Sequence, residues 1–210
     1  DSSGRSVYRG LTARLNMRQS WGRVNAFYTL SKNLSDDDNE RDAGGVLYDN
    51  PYNLRGEFGP SRIDRRHQFV ANPMFFIPLG IELASTMRFL SGQPVNPRVG
   101  SDANGDGNTN ERPFLSVGNE IIRNFYTGRP FYQIDFRVQK GFGLGEGRRL
   151  IFTSEFFNVF NNSNIDVTST TSTNFCSNTA SNCGLAGVTN PNFLQVRDTT
   201  GRIITANTPR

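Results

Sequence analysis

The sequence predicts an all-β fold, an antiparallel sheet of the transmembrane β-barrel kind, and three observations predict it. The first is strict alternation. Between Phe131 and Asn162 the residues Tyr132, Ile134, Phe136 and Val138 alternate with Gln133, Asp135, Arg137 and Gln139, the period of a strand with one apolar and one polar face. That polar face is as continuous as the apolar one and carries both signs of charge, so the strand separates two environments. The second is length: the candidate strands run to about ten to twelve residues, near the roughly nine to eleven that a tilted strand needs to cross a bilayer and above the five to six or so of an ordinary sheet. The third is the order of connections, which alternate short and long along the chain. Antiparallel strands crossing a membrane put alternate connections on opposite sides, with short periplasmic turns and long extracellular loops.

Six long strands are expected. Residues 7 to 18 set Leu11, Ala13, Leu15 and Met17 against Thr12, Arg14, Asn16 and Arg18. After a tight turn at 20 to 23, residues 24 to 32 set Val24, Ala26, Tyr28 and Leu30 against Asn25, Phe27, Thr29 and Ser31, completing a hairpin. A polar stretch from about Asn33 to Asp64, rich in acids, Gly, Asn and Pro, reads as an extended loop. The third strand is expected from Arg65 to Ile77, where Pro73 marks an edge, a bulge or a strand end. A turn at Pro78 to Gly80 leads to the fourth, Ile81 to Leu90, with Ile81, Leu83, Met87 and Phe89 facing away from Glu82, Thr86 and Arg88. A second long loop fills about Ser91 to Arg129. The hairpin from Phe131 supplies the last two strands, turning near Gly143 to Gly147, and a Ser/Thr/Asn-rich run follows from Ser163.

Composition narrows the classes. Apolar residues make up 35% of the 210, and no run approaches the roughly 18 consecutive apolar residues of a membrane helix. Barrel strands escape that test because their alternation hides them from hydropathy. No signal peptide stands in these residues, and a chain opening at Asp1 and closing in TANTPR is expected to be a fragment, with any signal peptide upstream. The net charge of +4 is spread without a basic block, and no basic helix or nucleic-acid motif is present. Cys176 and Cys183 flank SNTASN in a polar loop; a metal site needs further Cys or His, and the single His67 is far away. They read as a small loop disulfide, which implies an oxidising compartment, or as two free thiols.

The segments YRGLTARLNMRQSWGRVNAFYTLSKNLSD, NPYNLRGEFGPSRIDRRHQFVAN, LSGQPVNPRVGSDANGDGNTNERP and EFFNVFNNSN, in this order, resemble the C-terminal part of the barrel of TonB-dependent outer-membrane receptors. They are most similar to the Oar-like branch, whose members carry a carboxypeptidase-regulatory-like domain ahead of plug and barrel. The resemblance covers nearly the whole chain and implies one arc of a wall of roughly 22 strands, placed in the cell outer membrane of a Gram-negative-type bacterium. It also implies active uptake of a siderophore, oligosaccharide or peptide-like ligand, with outer-membrane lipid and the TonB complex as partners and no enzymatic step. Energy coupling rests on the resemblance alone, because no plug or TonB box stands in these residues. Members end in a short strand with a terminal aromatic, and here the text stops where that strand is expected. Two other readings remain: a non-transporting surface or adhesion protein on the same barrel, and a soluble β-sandwich carbohydrate-binding module.

Three groups of residues are candidate sites. Asp102, Asn104 and Asp106 followed by Gly107 match the opening of a calcium loop, in which oxygen ligands alternate around a glycine turn. Pro113 stands where the bidentate Glu belongs, and Asn108 or Glu111 substitutes. The alternative is an Asn/Gly/Asp loop turning on its own side-chain hydrogen bonds. Asp64, Arg65, Arg66 and His67 sit where a long loop enters a strand; with Ser61 they suggest a hydrolase site, but no nucleophile motif such as GxSxG is present, and ion pairing at the barrel rim is expected. Arg14, Arg18, Glu82, Arg88, Asp135, Arg137 and Glu155 are expected to face the lumen, as a cross-strand charge ladder or as contacts for plug and substrate. Trp21, Tyr28, Phe142 and Phe160, near strand ends, suit an interface girdle or the cover of a soluble core.

Overall fold

The computed structural model describes residues 4–37, 48–50, 54–99, 102, 105–107, 109–116, 119–164, 196–197 and 203–205. Six long strands dominate it: β1 (Ser6–Gln19), β2 (Gly22–Ser35), β3 (His67–Ile77), β4 (Ile81–Leu90), β5 (Phe131–Gly145) and β6 (Arg148–Phe156). Each pairs antiparallel with the next in sequence, so one sheet runs β1-β2-β3-β4-β5-β6 as a meander, with the short strand Gly59–Pro60 added to β2. Among the described residues the other sheets have two strands each, so none is a broad second sheet facing this one. That removes the β-sandwich alternative, which needs two facing sheets around a shared core.

The short connections follow from their residues. Ser20 and Trp21 join β1 to β2, and Pro78–Gly80 join β3 to β4, with Leu79 at φ 72° and Gly80 at φ 71°. Glu146 at φ 52° and Gly147 at φ 74° give the β5-β6 hairpin a loop with two consecutive positive φ values, the type I′ pattern that matches strand twist. The register shifts between Gly143 and Gly145, so the glycine-rich stretch is a bulge leading into the turn.

Pro73 behaves differently from the sequence expectation. It lies in an interior strand, paired with Val24 of β2, and the register is unshifted on either side. The ladder from β3 to β4 holds Ala71 to Met87 and Met74 to Ala84 but skips Asn72 and Pro73. Ser85, placed beside that gap, donates its hydroxyl to the Asp135 carbonyl of β5 at 2.9 Å. The missing proline donor is absorbed as a local gap in a continuous strand.

Cross-strand register carries each face unbroken over the sheet. One row runs Tyr28, Phe69, Phe89, Tyr132, and the next runs Leu15, Ala26, Ala71, Met87, Ile134. This face is apolar and largely uncovered: Leu11, Leu15, Tyr28, Phe75, Val138, Leu150 and Phe152 are all exposed. Aromatic groups gather near its two ends. Phe69 and Phe89 lie 5.9 Å apart and Phe89 and Tyr132 5.7 Å apart near the long loops, while Trp21 stacks on Phe75 at 6.0 Å near the short turns. Cations on this face also keep to its ends, with Arg9 opposite Lys32 at one and Lys140 over the Phe142 ring at the other. Buried apolar side chains among the described residues are few, Ala71, Val95, Val99 and Ile121 besides prolines, and the last three of these belong to the loop between β4 and β5. The sheet therefore has no hydrophobic core of its own.

Candidate functional site

The face opposite the apolar one gathers the charges. Alternation and register place Arg14, Arg18, Glu82, Arg88, Asp135, Arg137 and Glu155 on it together. Arg14 lies over the ring of its cross-strand neighbour Phe27 at 4.9 Å, and Arg18 is opposite Arg23, whose guanidinium lies over Phe76 at 5.6 Å. Glu82 is opposite Gln139, and Arg88 is opposite Gln133. Asp135 accepts hydrogen bonds from Gln133 Nε2 at 2.9 Å and from the Asn158 amide at 2.8 Å. Arg137 Nη2 donates to Gln139 Oε1 at 2.8 Å and its Nε is 3.8 Å from Glu155 Oε1. Both partners of that ion pair are half-exposed, so it adds at most about 1 kcal/mol. A depression of about 250 Å³ opens here, with Thr86, Asp135, Arg137 and Glu155 among its lining residues.

At the long-loop end, the two long connections knit into a polar layer around Arg112, whose side chain is 3% exposed. Its Nη1 donates to both oxygens of Glu57 at 2.9 and 3.0 Å, and its Nε to the Ile121 carbonyl at 2.9 Å. Nη2 lies 3.3 Å from Glu120 and 3.6 Å from Asp49. A guanidinium suits this position because its planar fork serves several acceptors at once. Burial pushes the Asp49 carboxyl above its ordinary value, with Arg112 opposing and Glu57 reinforcing that rise. Asn124 extends the layer, donating its side-chain amide to the Pro60 carbonyl at 2.7 Å and its backbone amide to Asn96 Oδ1 at 3.1 Å. Arg123 donates to the Ser35 carbonyl, which ties the layer to the end of β2.

The Asp64 to His67 segment is held by hydrogen bonds to neighbouring strand ends. Asp64 Oδ1 accepts from the Asn33 amide at 2.7 Å, Arg65 Nη1 donates to the Ser91 carbonyl at 2.7 Å, and His67 Nδ1 is 2.8 Å from the Tyr28 hydroxyl. Ser61 Oγ accepts from the Ile63 amide. These contacts lock the entry of β3 and do not link Ser61, Asp64 and His67 in a relay.

In the stretch from 102 to 111, Asp102 accepts from the amides of Gly105 at 2.6 Å, Asp106 at 3.2 Å and Gly107 at 2.9 Å. The self-bonded turn is thus present. In addition, carboxylate oxygens of Asp102, Asp106 and Glu111 all lie within 4.8 Å of one another. Glu111 is 5% exposed, and neither of its carboxylate oxygens has a hydrogen-bond partner. Asn104 and Asn108, like Cys176 and Cys183, lie outside the described residues.

Sequence reasoning missed the Arg112, Glu57, Asp49 and Glu120 cluster. Its members come from two separate loops without periodicity, and no local pattern marks them.

A single sheet with a continuous exposed apolar face, a continuous charged face and girdles of aromatics at both ends defines the wall of a membrane-spanning β-barrel. A family model described as an outer membrane beta barrel domain matches residues 1–122, more than half of the 210 residues. The chain belongs to that family and is a protein of the bacterial outer membrane. No curated protein and no solved structure matched the chain.

Proposed function

We propose that the chain forms the C-terminal arc of a TonB-dependent receptor barrel of the Oar-like branch and serves active uptake of a siderophore, oligosaccharide or peptide-like ligand. The observation that carries this reading is the charged face, continuous over six strands, on a sheet whose outer edges at β1 and β6 take no partner among the described residues. Open edges are not tolerated in lipid, so these strands need further strands to close a wall, and a wide closed wall has a polar lumen. The narrower assignment rests on the sequence resemblance across GPSRIDRRHQF and SGQPVNPRVGSDANGDGNTNERP.

On this reading Arg14, Arg18, Glu82, Arg88, Asp135, Arg137 and Glu155 face the lumen, and the apolar face meets outer-membrane lipid. The loop layer around Arg112 lies outside the cell, where ligand arrives. The lumen charges hold a plug domain, which force relayed through TonB displaces, and no covalent chemistry is involved.

The test is capture of the full-length, detergent-solubilised protein by the purified periplasmic domain of TonB. Specific capture is expected. Its absence, together with ion conductance in planar bilayers typical of an unplugged pore, would refute transport and favour a surface or adhesion role on the same barrel.

A further inference from the structure

The polar loop between β4 and β5 contains one group that the uptake reading does not use. Glu111 is 95% shielded from solvent, being 5% exposed, and both of its carboxylate oxygens lack a hydrogen-bond partner. A buried carboxylate in that condition is costly, and a cation relieves the cost. Arg112, next in sequence, does not supply one, because its guanidinium is committed to Glu57, Asp49 and Glu120. Facing the Glu111 carboxylate instead are Asp102 and Asp106, each with an oxygen inside the same 4.8 Å span.

We infer that Asp102, Asp106 and Glu111 bind a calcium ion that pins the outer loop between β4 and β5. Oxygens around one calcium lie about 2.3 to 2.6 Å from the ion, so any two of them are at most about 5 Å apart. The observed span fits that sphere without rearrangement. Three anionic ligands and an all-oxygen set select a hard divalent cation over zinc or copper, which favour nitrogen and sulfur. Magnesium demands a near-ideal octahedron and gives up its waters reluctantly, whereas calcium accepts irregular sets completed by solvent. Asp102 keeps capacity for the ion although it caps the turn. Among the described residues its Oδ2 accepts the Gly107 amide, and a carboxylate oxygen has two lone pairs. Glu111 takes the place of the ligand that Pro113 denies to position 12, reaching the site from position 10 of the same loop.

The consequence is mechanical. A cation bound at Glu111 neutralises the acid beside Arg112 and fastens the loop to the Arg112 layer, which the first long loop shares through Glu57 and Asp49. Calcium would therefore order both outer loops together.

The experiment is calcium titration of the full-length receptor in detergent after chelator treatment, by calorimetry, with hydrogen exchange read over residues 102–111. The expected result is one more calcium per chain in the wild type than in Glu111→Gln, with affinity in the range of about 10⁻⁴ to 10⁻³ M found for extracellular modules. Calcium should slow exchange at 105–107 in the wild type only. Asp106→Asn, at an exposed position, should weaken binding about tenfold or more and gives the same reading if Glu111→Gln does not fold. Equal calcium uptake by the wild type and both variants would overturn the site, and equal affinity for magnesium would overturn its assignment to calcium. Neither outcome depends on TonB, so the uptake reading stands or falls separately.

Discussion

Phe136 offers the sharpest test of which face meets the membrane. It lies on the apolar face of β5, opposite Ser85 of β4 and Phe156 of β6. Tyr132 and Lys140 stand on the same face four residues to either side. At about 3.3 Å per residue and a tilt near 40°, each marker lies about 10 Å from Phe136 along the membrane normal. An arginine there sits near the midplane, and its same-face neighbours Ile134, Val138, Met87, Ser85, Ser154 and Phe156 include no acid. Phe136→Arg should then cost about 2 to 4 kcal/mol, or about 30- to 900-fold in the folding equilibrium. Gln139→Arg is the control, because Gln139 lies on the other face opposite Glu82, and trading its exposed hydrogen bond with Arg137 for a cross-strand pair with Glu82 changes stability by no more than about 1 kcal/mol. The assay is reversible urea unfolding of the full-length protein in lipid vesicles, followed by tryptophan fluorescence and by heat-modifiable migration in gels. Equal losses for the two variants, or a larger loss for Gln139→Arg, would refute the assignment of faces.

Two further outcomes concern the loop layer. Arg112→Met removes the cation from among Glu57, Glu120 and Asp49, and breaking a buried charge cluster from one side costs about 3 to 5 kcal/mol. Proteolysis within 109–124 should accelerate more than about a hundredfold while the strands stay protected, and an unchanged rate would show that the cluster does not hold the loops. Asp49, whose carboxyl is raised by burial, binds its proton more readily folded than unfolded. Its stabilising contribution is complete below its ordinary value of 3.8 and is lost as pH rises through the raised folded value. Asp49→Asn should remove the fall in loop stability that sets in as pH rises above 3.8, measured by the same proteolysis, and an unaltered pH profile would contradict the burial account.

The parts of this molecule that sequence reveals are those governed by period two. Leu11 to Met17 and Tyr132 to Val138 alternate so regularly that strand, face and length follow from the residues alone, and the register confirms the faces pair by pair. Ends and interruptions were less legible. β2 runs on to Ser35, paired with β1 as far as Ser6 and with the Gly59–Pro60 strand over its last two residues, the latter a partner 24 positions away that no local pattern announces. Pro73 suggests an edge, a bulge or a strand end because proline lacks a donor, yet a neighbouring strand can leave a gap in the ladder and keep its register. Loop chemistry was the least legible. The calcium-like spacing at Asp102 and Asp106 was visible, whereas the approach of Glu111 to them, and of Glu57 to Arg112 across 55 positions, depends on how two irregular segments fold over each other.

The uncovered apolar face has a consequence for how this sequence tolerates change. In a soluble domain, side chains such as Leu15, Val138 or Phe152 interlock with solid neighbours, and altering their shape costs stability even when polarity is kept. On the proposed orientation their neighbours are fluid acyl chains, which flow around any contour. Swaps among Leu, Val, Ile and Phe on this face are then nearly silent, so drift in size and shape there is unconstrained while polarity is strictly held. Selection for geometry is concentrated in the Arg112 layer, where the donors of Arg112 and Asn124 meet fixed acceptors.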